Sequence, residues 1–216
     1  MAEITATLVK QLRERSGAGM MECKSALVEA KGDLAEAEVV LRKRGITSAG
    51  KKASRTTKQG LIGSYIHHGG QLGVLVEVNC ESDFVARTAD FQELVHDLAM
   101  HIAAADPQFV RKEDVTAEAL EKEREIERAR AITEKKPEKI LDKIIEGRLA
   151  KFYEAVCLYE QPFVKDPTLS IDQLIKTKIA ILKENIVVSR FVRFKVGDSA
   201  AMGGDGEAAV PEPAQA

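Results

Sequence analysis

The sequence predicts an α+β fold: a three-helix N-terminal module, then a three-stranded antiparallel sheet packed with helices and a helical hairpin. Three observations carry this expectation. Glycine-punctuated stretches of helical period fill the first 45 residues. From Leu61 the apolar period drops to two, in "LIGSYIH" and "LGVLVEV" separated by "HGGQ", the pattern of a hairpin with a glycine-rich turn. A third alternating run, "IVVSRFVRFKV", comes only after several helical stretches. With no βαβ alternation between the runs, the sheet is expected to be antiparallel with helices on one face.

Taken in order, the first helix lies in "TATLVKQLRERSG", with Leu8 and Leu12 four apart, Thr5 as N-cap and Gly17 as the stop. The second runs from the Gly17-Ala18-Gly19 turn to Gly32. The third starts at Asp33, whose side chain caps it with Glu36 reaching back, carries Leu34, Ala37 and Leu41, and is expected to stop at Gly45. Residues 1–45 then form one module, and 46–60, with Lys51, Lys52, Arg55 and Lys58 and no acid, form a basic linker. The core domain covers 61–197. Within it "FQELVHDLAMHIAAADP" sets Phe91, Leu94, Val95, Leu98 and Ile102 on one helical face, ended by Asp106-Pro107. Residues 116–159 predict a helical hairpin: a charge-rich helix, then a longer one with Ile140, Ile144, Leu149, Phe152 and Val156 on its apolar side. In the last strand Val188 and Val196 keep step and Phe191 falls out of it. Residues 198–216 have too little apolar content to fold and read as a disordered tail.

Composition narrows the function classes. A formal net charge of -2 gives no whole-chain attraction to nucleic acid or anionic membrane. The basic segment 46–60 has no aromatic residue to stack on bases, so no direct nucleic-acid contact is expected. Three cysteines, Cys23, Cys80 and Cys157, are scattered without a CxxC, which suits a reducing compartment. The start "MAEITATLVKQLRER" mixes acid and base where a signal peptide needs an apolar core, and no apolar run approaches a membrane span. A soluble, cytoplasmic protein is expected.

Catalytic signals are weak. His67 and His68 are adjacent and would point to opposite faces of a strand, while His96 and His101 are five apart, off a single helical line, so they suggest no metal site. Cys80 at a strand end reads as a small buried residue rather than a nucleophile. Phosphate-binding loops and a nucleophile elbow are not found in the sequence, and no cofactor is expected. Met20 and Met21 follow a Gly-Ala-Gly turn and are either core of a small module or thioethers presented to a partner. Phe84, beside Asp83 at the start of a helical pattern, is either a packing residue or an exposed contact.

The segments "MAEITATLVKQLRERSGAGMMECKSAL", "VEVNCESDFVARTADF", "AMHIAAADPQFV", "EGRLAKFYEAVCLYEQPFVKDP" and "FVRFKVG" together resemble the bacterial translation elongation factor Ts family, in order, from Met1 to about Gly197. The resemblance is to shorter members with one core subdomain. It implies a ubiquitin-associated-like N-terminal module and a guanine-nucleotide exchange factor that binds elongation factor Tu with GDP, displaces magnesium and GDP, and leaves when GTP binds. It implies no enzyme chemistry. The family's Thr-Asp-Phe-Val element, associated with dislodging the partner's magnesium, matches Ser82, Asp83, Phe84 and Val85, with Ser in place of Thr. The same resemblance assigns Arg13, Met20, Met21 and Lys24 to partner binding, and His67 in "SYIHHGG", with His68 the alternative because the turn has one more residue than in longer members. The single core subdomain also suggests a homodimer, a second copy supplying the contacts that a duplicated core makes within one chain.

Overall fold

The computed structural model describes residues 4–134 and 137–198. The tail expected at 198–216 lies outside them apart from Asp198.

The N-terminal helices are α1 (Ala6–Ser16), α2 (Met20–Glu29) and α3 (Leu34–Lys52). Thr5 caps α1 by accepting from the Leu8 amide, and Gly17 closes it in the left-handed conformation that a residue without Cβ adopts freely. Asp33 caps α3 by accepting from the Glu36 amide at 2.8 Å. Val9, Leu12, Cys23, Ala26, Leu27, Ala30, Ala37 and Val40 fill the space between the three helices. So small a core would give modest stability alone.

The module is not left alone. The expected stop at Gly45 and the basic linker at 46–60 are both corrected by the structure: α3 continues to Lys52, and Gln59 already opens the first strand. Glycine inside a helix costs roughly 1 kcal/mol against alanine, an amount that tertiary packing readily outweighs. A Cβ on Gly45 would stand 3.1 Å from the Cβ of Ala180, so the missing side chain lets α3 lie close against α8 (Ile171–Leu182) of the core domain. Ala49, a turn further on, is part of the larger core, and Lys52 is buried with its ammonium donating to Ser48 Oγ at 2.9 Å. Arg42 donates to Gln173 Oε1 at 2.9 Å across the same seam.

Strands β1 (Gln59–Ile66) and β2 (Leu72–Cys80) form the hairpin, and the helices α4 (Asp83–Ala86) and α5 (Ala89–Ala105) follow. Next come α6 (Ala117–Thr133) and α7 (Leu141–Val156), which pack on each other, a short ribbon of β3 (Pro162–Phe163) and β4 (Asp166–Ser170), then α8 and β5 (Val187–Lys195). The sheet is antiparallel in the order β1-β2-β5. Its inner face presents Val74, Val76 and Val78 to the buried stripe of α5, Phe91, Leu94, Val95, Leu98 and Ile102, as the helical period predicts. Gly63 leaves room for the helix: a Cβ there would lie 2.3 Å from Val95 Cγ1. The pairing of β2 with β5 slips between Glu77 and Val78, leaving Ser189 without a register partner. This bulge is why Phe191 falls out of step yet shares the inner side with Val188.

Between α6 and α7 the buried Glu127 accepts from Arg130 and Arg148, and Arg148 also bonds Glu134 at 2.7 Å. Elsewhere, His101 of α5 is buried and anchors the chain after α7. Its Nε2 lies 3.0 Å from Gln161 Oε1, while Nδ1 accepts from the Val164 amide. The Gln161 amide nitrogen is committed to the carbonyls of Ala105 and Ala155, so its oxygen must accept and His101 is the neutral Nε2–H tautomer.

Burial lowers the basicity of His101, and the bond to Gln161 offsets this only in part. Below about pH 6.5 the unfolded chain protonates this histidine and the native one does not, so stability falls as pH falls until the native group also takes its proton. Urea unfolding between pH 7 and 5 should show the loss, at up to about 1.4 kcal/mol per pH unit for one proton. His101→Phe, which cannot titrate, should flatten the slope in that window.

Candidate partner-binding site

Ser82, Asp83, Phe84 and Val85 form a single turn between β2 and α5. Ser82 is the N-cap of α4, accepting from the Val85 amide at 3.4 Å, and Thr88 caps α5 immediately afterwards. Two caps in seven residues pin both ends of the short connection. Val85 is half-buried against the main core and Ala86 is fully buried, so the turn is tethered from below. Phe84 is left outside, 81% exposed. Asp83 pairs with Arg87 at 2.9 Å, both ends well exposed, so this pair adds little stability.

The turn is also held from the side. Glu184, just beyond α8, accepts from the backbone amides of Glu81 at 3.1 Å and Ser82 at 3.0 Å, and from Ser82 Oγ at 2.6 Å. Hydrogen bonds to a carboxylate are roughly twice as strong as neutral ones. Glu81 in turn accepts from the Asn185 amide at 2.6 Å, and the Asn185 side chain donates to the carbonyls of Ala53 and Arg55 beyond α3. Cys80 is buried with its thiol donating to the Ser82 carbonyl at 3.1 Å. Burial, then the charge of Glu184, push this thiol's pKa up, which holds it protonated and unsuited to nucleophilic attack. Burial likewise raises the Cys157 thiol to about 11.

On the N-terminal module, Met20 and Met21 open α2 and are 49% and 76% exposed, so the small core does not consume them. Glu22 accepts from the Gly19 amide, closing the first turn of this helix, and also takes Lys183 at 2.6 Å. That bond to Lys183 is the main cause holding the Glu22 carboxyl below its usual pKa. Lys24 lies one turn along on the exposed side of α2, and Arg13 is exposed in α1. The structure therefore links the methionine end of α2 to the Phe84 turn through consecutive residues, Lys183 and Glu184.

His67 is not part of this group. It lies at the hairpin turn, 3.0 Å from the Tyr65 hydroxyl, with His68 exposed beside it. Because β2 runs from Leu72 to Cys80, the hairpin turn and the Phe84 turn stand at opposite ends of a strand roughly 25 Å long. Among the described residues no three of His, Cys, Asp and Glu are grouped as metal ligands, and no helix is long and apolar enough to cross a membrane.

Comparison with known proteins decides the family. The model for "Elongation factor TS" matches residues 9–198. The chain belongs to the elongation factor Ts family. It is 77% identical over 211 residues to elongation factor Ts of Solibacter usitatus, covering 98% of this chain and 99% of that one. The counterpart in Koribacter versatilis is 63% identical over 195 residues, with 90% and 89% covered, and that in Heliobacterium modesticaldum 55% identical over 198 residues, with 92% of each covered. As a member of the elongation factor Ts family the chain is a translation elongation factor, and every candidate site residue lies within the matched span. Glu184 and Lys183 escape sequence reasoning: "LKEN" after a helix gives no sign of which backbone amides, about a hundred residues away, it will meet.

Proposed function

We propose that the protein is a guanine-nucleotide exchange factor for elongation factor Tu, acting in the cytoplasm without covalent chemistry. It binds the GDP complex, displaces magnesium and GDP, and is released when GTP binds. The observation that carries this reading is Phe84, a large aromatic held out in solvent on a turn capped at both ends, within the sequence element that the family resemblance links to magnesium displacement.

A GTPase grips GDP through backbone amides, a lysine and a magnesium ion bridging the phosphates. A protein loosens that grip by preferring the nucleotide-free conformation, and linkage requires GDP to weaken the protein's own binding by the same factor. A ten-thousandfold weakening needs about 5.5 kcal/mol of differential binding. Burying one Phe yields roughly 1.5–3 kcal/mol, so Phe84 alone is insufficient. In this reading Phe84 wedges beside the partner's magnesium site, with Asp83 positioning it by polar contacts. Met20 and Met21, with Arg13 and Lys24 around them, anchor the GTPase, and His67 provides a remote contact at the far end of the sheet. A plain adaptor would bind the same partner without changing nucleotide release.

Release of fluorescent GDP from elongation factor Tu with magnesium present separates these readings. Wild type should accelerate release, and a folded Phe84→Ala should lose roughly 10- to 150-fold of that acceleration, the equivalent of one buried Phe. No acceleration by wild type would overturn the exchange reading. Equal acceleration by both proteins would move the wedge elsewhere.

A homodimer is the second part of the proposal. The outer face of the sheet carries Ile62, Ile66, Leu75, Val192 and Phe194, all exposed, where a half-covered antiparallel sheet ordinarily turns polar residues to water. We infer that a second copy stacks its own outer face on this one, in the two-fold manner usual for self-complementary patches. Light scattering should give twice the chain mass for wild type and a folded monomer for Leu75→Lys. A wild-type monomer with full exchange activity would contradict the dimer.

A further inference from the structure

We propose that Glu184 is a positioning residue: it presets the turn that carries Phe84, so that the ring meets the GTPase already in its working orientation. This rests on the reading of Phe84 as the wedge. The geometry is that of a clamp. One carboxylate oxygen takes two successive backbone amides, Glu81 and Ser82, and the other takes the Ser82 hydroxyl, across 102 and 103 residues of chain. Ser82 is also the cap of the turn, so its single hydroxyl joins the carboxylate on one side to the Val85 amide on the other. The orientation of Phe84 follows from that cap.

Glu184 is itself held. It follows Lys183, which ends α8 in the left-handed conformation (φ 65°), uncommon for a residue with a Cβ. The next residue, Asn185, is buried and bonded through both its backbone amide and its side chain. A carboxylate between two fixed neighbours loses little freedom when it binds, which is what makes a positioning group effective. Thr88 and the buried Ala86 hold the far end of the turn, Thr88 Oγ1 donating to the Val85 carbonyl at 2.7 Å, whereas at its start Glu184 is the side chain that takes the amides of Glu81 and Ser82. The Asp83–Arg87 pair is exposed, and Cys80 bonds the carbonyl side of Ser82, not its amide or hydroxyl.

The test uses the full chain with Glu184→Ala, Glu184→Gln and Phe84→Ala. Stimulated release of fluorescent GDP is followed against factor concentration, and amide hydrogen exchange is followed across the protein. Glu184→Ala should lower the maximal release rate roughly tenfold, the scale of a small misplacement at a reacting site, and leave the half-saturating concentration within about twofold because the methionine anchor is untouched. Amides 81–88 should lose protection while β2 and α5 keep theirs. Glu184→Gln, whose carbonyl oxygen still accepts both amides, should stay within about threefold of wild type. A wild-type maximal rate for Glu184→Ala beside a slowed Phe84→Ala would overturn the positioning role and leave the wedge standing. A wild-type rate for Phe84→Ala would remove the wedge and this proposal with it. Loss of protection throughout the core domain, or equal damage by Ala and Gln, would make Glu184 a general stability residue and overturn the proposal.

Discussion

The contact of α3 with α8 at Gly45 and Ala180 is the constraint on which the functional geometry depends. A three-helix module with a core of eight mostly small side chains has little stability to spare. Extending its third helix by seven residues past Gly45 and laying it on the core domain gives it a second surface. Ala49 enters the large core, and Arg42 and Glu22 reach polar partners on the other side. Without that seam, Met20 and Met21 would sit on a separate body whose distance from Phe84 was set by a linker. With it, they share a frame.

For the proposed exchange activity a shared frame matters because the free energy needed to release a tightly held nucleotide exceeds what one aromatic can supply. An exchange factor therefore needs separated contacts that all prefer the same strained conformation of the partner. Rigid spacing turns separate modest contacts into one differential, since a flexible spacer would let each contact adapt to the GDP-bound form. The charged cross-links differ in weight. The pair of Lys183 with Glu22 is about half exposed and contributes little. The carboxylate of Glu184 satisfies two half-buried amides and a hydroxyl, so its loss would leave donors without partners.

Much of this was legible in the sequence where one residue type carries one meaning. Thr5 and Asp33 are caps, the stripe from Phe91 to Ile102 is buried, and the alternating runs on either side of "HGGQ" pair as a hairpin. Glycine is ambiguous: Gly17 stops a helix through its left-handed backbone, whereas Gly45 continues one because its bare α-carbon admits a neighbour. Both follow a basic turn and both lie against α8, Gly17 near Ile181 and Gly45 near Ala180, and it is the left-handed backbone of Gly17 alone that ends a helix. The short ribbon of β3 and β4 has no period long enough to read, and the bulge at Ser189 shows in sequence only as a misplaced Phe191. Of the candidate site, Phe84, Met20 and Met21 were readable as residues with two possible fates, and exposure separates them. Glu184 was not readable, since two of its three bonds go to backbone amides, which leave no mark in the sequence, and the third goes to Ser82, whose hydroxyl reads only as a helix cap.

The most direct test of the shared frame is a distance. Spin labels placed through Gln11→Cys on α1 and Gln92→Cys on α5, both exposed and outside the proposed contacts, report the separation of the N-terminal module from the helix that follows the Phe84 turn, and the native cysteines, all buried, stay unlabelled. Pulsed electron paramagnetic resonance on the free protein should give a single narrow distance distribution, the same with and without elongation factor Tu, the proposed partner. A broad or two-peaked distribution in the free protein would contradict the account, because the module would then move on the core domain and the spacing would be made only on binding.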